Sequence, residues 1–325
     1  MMFSIFLFIE IVANKILQAT GNMIVPMIAQ LIGAITNIVL DPIFIFGKNA
    51  PLGLTNRFFS FSWGFGMGVK GAAYATIIAQ AVTMIFTLSI LFLKNHEVDF
   101  SFTIFKLKKE RLKEILRVGA PVMLMNSIGS VTVITLNFII AQVYDGAEAI
   151  LGTYFKLQSF VFMPVFGLTQ GAMPIMGYNY GASKKQRFNH ALLLSIFASI
   201  IIMVVGMIIF QFFTSFLLTI IKITGEYYNL AIKALRIISW SFIGASINIV
   251  ISVMFQAIGQ GVKSLFMTLL RQVIIIIPLA FLLSNIFKSL TSIWICYPIA
   301  EMICLLIFLP IAIDTVNKIF ISKVR

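Results

Sequence analysis

Long apolar runs separated by short polar turns occupy almost the whole chain. They lie near residues 1–20, 24–46, 66–93, 116–143, 152–178, 190–220, 229–257, 265–284 and 290–313. Each is long enough to cross a hydrocarbon layer, which takes roughly 20 apolar residues in a helix. A backbone in lipid must satisfy its own hydrogen bonds, so each run is read as a spanning helix. The turn signals between them include Gly21-Asn22, Asp145-Gly146, the stretch Gly177 to Gly181, Thr224-Gly225-Glu226 and Gly259-Gln260-Gly261.

Composition agrees with that pattern. Of 325 residues, 60% are hydrophobic and 11% charged, against about 25% charged in soluble domains. The pattern therefore predicts an all-α, polytopic membrane protein. The net charge of +13 first suggests an acidic partner, but the basic residues sit mostly in short loops between runs. That placement suits anionic lipid at a membrane surface and argues against nucleic acid. Cys296 and Cys304 both lie in one apolar run, which excludes a disulfide framework and a thiolate metal cluster. Neither His96 nor His190 has a second ligand nearby in sequence, and no nucleophile–base pair is visible, so an enzyme is disfavoured.

Lys and Arg concentrate between residues 94 and 117, at Lys184, Lys185 and Arg187, and at Lys318, Lys323 and Arg325. With alternating spans all three clusters fall on one side, which the positive-inside rule makes cytoplasmic. The expected organisation is residues 1–94 as three helices of one lobe, 95–117 as a basic cytoplasmic linker, and 118–325 as a six-helix lobe. Within the linker, Leu107, Leu112, Ile115 and Leu116 alternate with charges and predict a helix lying on the inner leaflet.

Leu17-Gln-Ala-Thr-Gly-Asn22 at the end of the first run is echoed by Phe255-Gln-Ala-Ile-Gly-Gln260 at the end of the seventh. Two further runs follow each copy. Three runs precede the second copy within its lobe and none precedes the first, so repeat symmetry expects roughly 120 residues and three helices upstream. Duplicated bundles of this kind are common among secondary transporters.

At these residues the sequence resembles the multidrug and toxic compound extrusion (MATE) family of efflux transporters. The likeness is carried by Leu17 to Asn22, Pro26, Asn37, Asp41-Pro-Ile-Phe-Ile-Phe-Gly47 and Gly68 to Thr76. It continues through Gly119-Ala-Pro121 and Gln170-Gly-Ala-Met-Pro-Ile-Met-Gly-Tyr-Asn-Tyr-Gly-Ala182. The resemblance implies a two-lobe bundle of twelve helices, of which about nine are present, with a central cavity and rocker-type exchange. Expected partners are cationic or amphipathic drugs and membrane lipid. The protein is expected to be a monomer in a bacterial-type inner membrane, with proton or sodium as coupling ion and no cofactor. The family's first three helices, with a first-helix Asp of the ion site, have no counterpart here. The resemblance places the counterpart of the acid that the sodium-coupled branch carries on the fourth run near Gly129, and the seventh run has no acid after Glu226, which favours coupling through the N-terminal lobe.

Asn37 and Asp41 are four apart and share a helix face. A carboxylate in a span costs roughly 3 kcal/mol, so Asp41 is expected to face a cavity. There it would take up the coupling ion, with Asn37 and Asn14 as neutral ligands. Pro42 frees a carbonyl one turn earlier that could join them. The alternative is that Asp41 caps the turn at Gly47 and stays ionised in water. Glu10 and Glu301 are further acids at membrane depth. Each reads either as a helix–helix hydrogen bond or as a cavity group, while Lys15 is expected to snorkel. Met123, Met125, Phe160, Phe162, Met163 and Phe166 could line a pocket that repacks around flat cations, or face lipid. Gly66-Met-Gly-Val-Lys-Gly71 matches a dinucleotide-site pattern, but opens a membrane helix without a βαβ unit. Gly64, Gly68, Gly167 and Gly171 are expected to be backbone contact points or hinges. Two rival readings remain: an inactive shortened transporter, and a lipid-linked oligosaccharide flippase, for which Arg236 and Arg271 are the main span arginines.

Overall fold

Helix boundaries follow from where apolar periodicity meets a residue that can turn the chain. The structure is a computed structural model that describes residues 4–46, 64–93, 108–144, 146–221, 223 and 227–321. The linker residues 95–107, His96, Gly47, Asp145 and Glu226 lie outside them. Two units divide between Lys106 and Leu107.

Unit 1 holds α1 (Ser4–Ala19), α2 (Ile24–Ile45) and α3 (Val69–Leu93). Unit 2 holds α4 (Lys109–Val143), α5 (Glu148–Gly181), α6 (Lys185–Phe212), α7 (Thr214–Ile220), α8 (Tyr227–Ser239) and α9 (Ser241–Ala257). It continues through α10 (Gly261–Leu269), a π-helical stretch (Leu270–Ile276), α11 (Ile277–Phe287), α12 (Leu290–Ile293) and α13 (Cys296–Ile321). Among the described residues there is no strand. Among the described residues seven helical stretches are long and apolar enough to cross a membrane; α8 and α9, bent by 46°, together make an eighth. With the 16-residue α1, every one of the nine apolar runs is helical.

The two Gln-Ala-x-Gly segments form the same cap. Gly21 (φ +85°) and Gly259 (φ +75°) are left-handed, a conformation that costs a glycine nothing. The next amide reaches back five residues in each copy: Asn22 N–H to Leu17 O (2.9 Å) and Gln260 N–H to Phe255 O (2.8 Å). This is a Schellman closure, which satisfies helix-end carbonyls. Asn22 then accepts from the Val25 amide through Oδ1 at 3.2 Å, starting α2.

The glycine cluster ahead of α3 closes the end of α2. Pro42 and the end of α2 would leave carbonyls without donors. Instead, Phe65 N–H reaches Ile43 O (3.0 Å), Met67 N–H reaches Phe44 O (3.0 Å), Gly68 N–H reaches Ile45 O (3.2 Å) and Gly66 N–H reaches Phe46 O (3.3 Å). Side chains at Gly64 and Gly71 would collide with the Phe46 and Phe44 carbonyls. Gly167 and Gly171 differ from expectation: a Cβ at either meets nothing within 4 Å, so neither is a contact point within unit 2.

Packing inside unit 1 centres on Ala13, Leu17, Val25 and Leu91. Unit 2 has one core around Tyr154, Phe210, Phe242 and Trp294 and a second around Met176, Phe188 and Phe255. Phe242 meets Phe162 and Phe210 edge-on at 5.3 and 5.1 Å, the geometry aromatic quadrupoles favour. Many large apolar side chains point outward, Phe160 at 78% exposure among them, as a lipid-facing surface requires. α4 starts at Lys109 and runs unbroken for 35 residues. The charged turns at 109–117 thus extend the span instead of forming a separate surface helix, because nothing between them and Pro121 breaks the hydrogen-bond ladder.

Gly71→Ala should lower the melting temperature of the purified protein, since its Cβ meets main chain that cannot yield; overpacking costs about 1–3 kcal/mol. Gly152→Ala, where nothing lies within 4 Å, should leave it unchanged or slightly raised. Thermal unfolding of the two variants in one detergent checks the contrast.

Candidate functional site

α2 presents Asn37 and Asp41 on one face, and α3 lies against it. With the Asn37 amide turned so that its nitrogen faces the carboxylate, Nδ2 donates to Asp41 Oδ2 at 3.2 Å and Oδ1 accepts from the Thr76 amide at 3.3 Å. Asp41 is half-buried, and its Oδ1 is a buried acceptor with no hydrogen-bond partner. Pro42 inside α2 denies the Ile38 carbonyl its helical donor. In this orientation Asn37 turns an N–H and not its oxygen toward Asp41, against its expected role as an oxygen ligand, so the oxygens of this turn left for a proton or a small hard cation are the carboxylate's and the freed Ile38 carbonyl's.

Asn14 is not brought to this group. It belongs to a second cluster nearer the α1–α2 turn, where Asn14 Nδ2 donates to Glu10 Oε1 (3.3 Å) and Gln30 Nε2 donates to the same oxygen (2.6 Å). Thr87 Oγ1 closes the group from α3, donating to Asn14 Oδ1 at 3.4 Å. Gln30 and Asp41 are eleven residues apart on α2, about 16 Å along the axis at 1.5 Å per residue. Glu10 is 3% exposed, and no basic side chain among the described residues pairs with it. Two amides therefore solvate this carboxylate in place of a counter-ion. The i, i+4 spacing of Glu10 and Asn14 was visible in the sequence; Gln30 and Thr87 were signalled only as polar residues inside apolar runs.

Unit 2 handles its acid differently. Glu301 on α13 receives Arg271 Nη1 at 2.8 Å through Oε1 and Asn248 Nδ2 at 2.6 Å through Oε2. Asn248 also donates to the Glu301 carbonyl at 3.1 Å. Gly244 on α9 makes this approach possible, since a Cβ there would stand 3.0 Å from that of Glu301. Arg271 and Gln272 sit in the π-helical stretch, and Thr132 on α4 reaches Gln272 Oε1 at 3.5 Å.

Two cavities adjoin at Arg271 and Gln272. One, about 340 Å³, is walled by Asn126, Gln170, Asn248, Ser252, Gln256 and Thr268, with Met125 and Phe166. The other, about 300 Å³, is walled by Tyr154, Phe155, Phe162, Phe166 and Tyr297 and reaches Glu301. Met125 thus lines a cavity, while Met123, 68% exposed, points away from it, as do Phe160 and Met163. Arg236 is exposed on α8 and does not line either cavity.

Comparison with known proteins gives these arrangements a context. The family profile described as MatE matches residues 121–282. The chain is 29% identical over 301 residues to the multidrug export protein MepA of Staphylococcus saprophyticus, covering 93% of this chain and 62% of that protein. It is 27% identical over 318 residues to MepA of Staphylococcus haemolyticus, covering 98% and 66%. Among solved structures it is similar to a MATE protein crystallised in complex with MaL6, at a TM-score of 0.84 and 26% identity over 97% of this chain and 67% of that one. An outward-facing multidrug resistance MATE transporter superposes with a TM-score of 0.83, also at 26% identity, over 95% and 66%. The chain therefore spans somewhat under two thirds of the length of the first of these relatives.

Removing one partner of a buried ion pair leaves a charge uncompensated, typically about 3–5 kcal/mol destabilising, whereas removing both is often neutral. Arg271→Gln alone should therefore lower the melting temperature markedly, and adding Glu301→Gln should restore most of it. Thermal unfolding of single and double variants measures the coupling.

Proposed function

Since this chain belongs to the MATE family of multi-pass membrane transporters, we propose that it exports amphipathic organic cations in exchange for protons or sodium, with Asp41 as the coupling group. The observation that carries this is the Asp41 carboxylate itself: half-buried on a spanning helix, bonded by Asn37 through one oxygen and unpartnered at the other. A proton or cation bound there would supply the partner that the open oxygen lacks and change the charge on the spanning helix. Such a change can drive transport only by favouring one of two states over the other, which is the content of alternating access. The Ile38 carbonyl freed by Pro42 supplies a further neutral oxygen. Glu10, held by Asn14 and Gln30, is the second acid of unit 1 without a basic partner among the described residues. It would add to the attraction of that unit for cations.

In this reading the protein lies in a bacterial inner membrane with its C-terminus cytoplasmic. The alternative of an oligosaccharide flippase is less well supported, because of Arg236 and Arg271 only Arg271 lines either cavity.

Everted membrane vesicles containing the full chain should export ethidium when a proton or a sodium gradient is imposed, and the effective gradient identifies the ion. Asp41→Asn should reduce the rate at least about tenfold, by analogy with loss of a charge-assisted contact, with unchanged membrane levels. Undiminished gradient-driven efflux by that variant would overturn the assignment.

A further inference from the structure

The chamber of unit 2 has a charge pattern that the coupling group does not use. Arg271 lines both of its compartments. A guanidinium carries five N–H donors. One of them, on Nη1, reaches Glu301 at 2.8 Å, and the other four meet no acceptor among the described residues. The Arg271 side chain nevertheless keeps only 20% exposure. At membrane depth such donors are costly unless water or a ligand takes them. The edge formed by Nε and Nη2 thus has no acceptor among the described residues, and such an edge matches a carboxylate in two parallel hydrogen bonds.

Glu301 offers no corresponding welcome to a cation. Its Oε1 takes Arg271 and its Oε2 takes Asn248. The larger compartment has no acidic residue in its lining. A cation entering either compartment meets a carboxylate already neutralised, whereas an anion meets unpaired donors on a fixed guanidinium. The second compartment adds a shape requirement. Tyr154, Phe155, Phe162, Phe166 and Tyr297 surround about 300 Å³, at the small end of ligand pockets, and Tyr154 and Tyr297 stand edge-on at 5.6 Å. Such a wall accepts a flat ring.

We propose that unit 2 contains a binding site for aromatic carboxylates, the carboxylate on the free edge of Arg271 and the ring among Tyr154, Phe162 and Phe166. Glu301 holds the guanidinium in place without consuming that edge, and Asn248 holds Glu301. The site concerns binding within unit 2 and does not rest on the coupling role of Asp41.

The test compares three ligands with one ring system and different charge: 2-naphthoate, 2-naphthamide and 2-naphthylmethylammonium. Each is titrated calorimetrically against the full chain in lipid nanodiscs at a single pH. The naphthoate should bind at least about tenfold more tightly than either of the others, the scale expected for charge-assisted hydrogen bonds. The Arg271→Gln/Glu301→Gln double variant, which leaves no unpaired charge, should lose that preference, and Glu301→Gln alone should keep or sharpen it. Equal binding of the three ligands to the unmodified protein, tighter binding of the ammonium, or a carboxylate preference that survives in a folded double variant would overturn the proposal. Because binding is read and not export, absence of ethidium efflux would bear on Asp41 and leave this result standing.

Discussion

A hydrocarbon layer offers no hydrogen bonds, and most of this architecture answers that single constraint. Helices satisfy their interiors automatically, so the difficulty moves to their ends and to polar side chains. The return segment at residues 65–68 gives each carbonyl from Ile43 to Phe46 an amide donor. The Schellman closures at Gly21 and Gly259 do the same for α1 and α9. Hydroxyls inside the spans turn back on their own helices, as Thr83 does to Ala79 O at 2.8 Å and Ser195 to Ala191 O at 2.7 Å. Such side chains place polarity inside a span at little cost.

Ionisable groups cannot be handled so locally, and the two units solve the problem in opposite ways. Unit 1 surrounds Glu10 with amides and leaves an oxygen of Asp41 without a partner, so neither acid is tied to a basic side chain among the described residues. Unit 2 joins Glu301 to Arg271 and stabilises the pair with Asn248, so its acid is committed. The difference lies in partner chemistry rather than burial, since Glu10 and Glu301 are both nearly inaccessible, at 3% and 8% exposure. Sequence position alone would have treated the two acids alike.

Apolar runs located the spans well because lipid imposes one strong rule on residue type. The run at 24–46 became Ile24–Ile45 and that at 66–93 became Val69–Leu93. Hydropathy reads solvent and not backbone, however. It therefore missed the charged turns that extend α4 to Lys109, the break at Phe213 and the bend between Ser239 and Ser241. The pairing of Asn37 with Asp41 was legible because four residues of one helix decide it. Gln30 beside Glu10, Asn248 beside Glu301 and Arg271 across from both depend on which helices pack together, and no local spacing records that. The glycines before α3 stood out in the sequence only as a pattern, and their task of closing α2 became visible with the carbonyls they face.

The π-helical stretch from Leu270 to Ile276 holds one more residue than its hydrogen bonds would need in an α-helix, as an inserted residue leaves behind. Loss of one residue there would let the backbone relax into regular α-helix with every bond remade. The wide turn absorbs its surplus residue without turning α10 and α11 out of register, so the same deletion would shift only the residues inside the stretch, Arg271 and Gln272 among them. The guanidinium would leave the wall it shares with Glu301. A change of one codon, neutral for the helix, would thus erase the charge pattern of the chamber. Among related chains, length in this segment becomes a marker of what the chamber can hold.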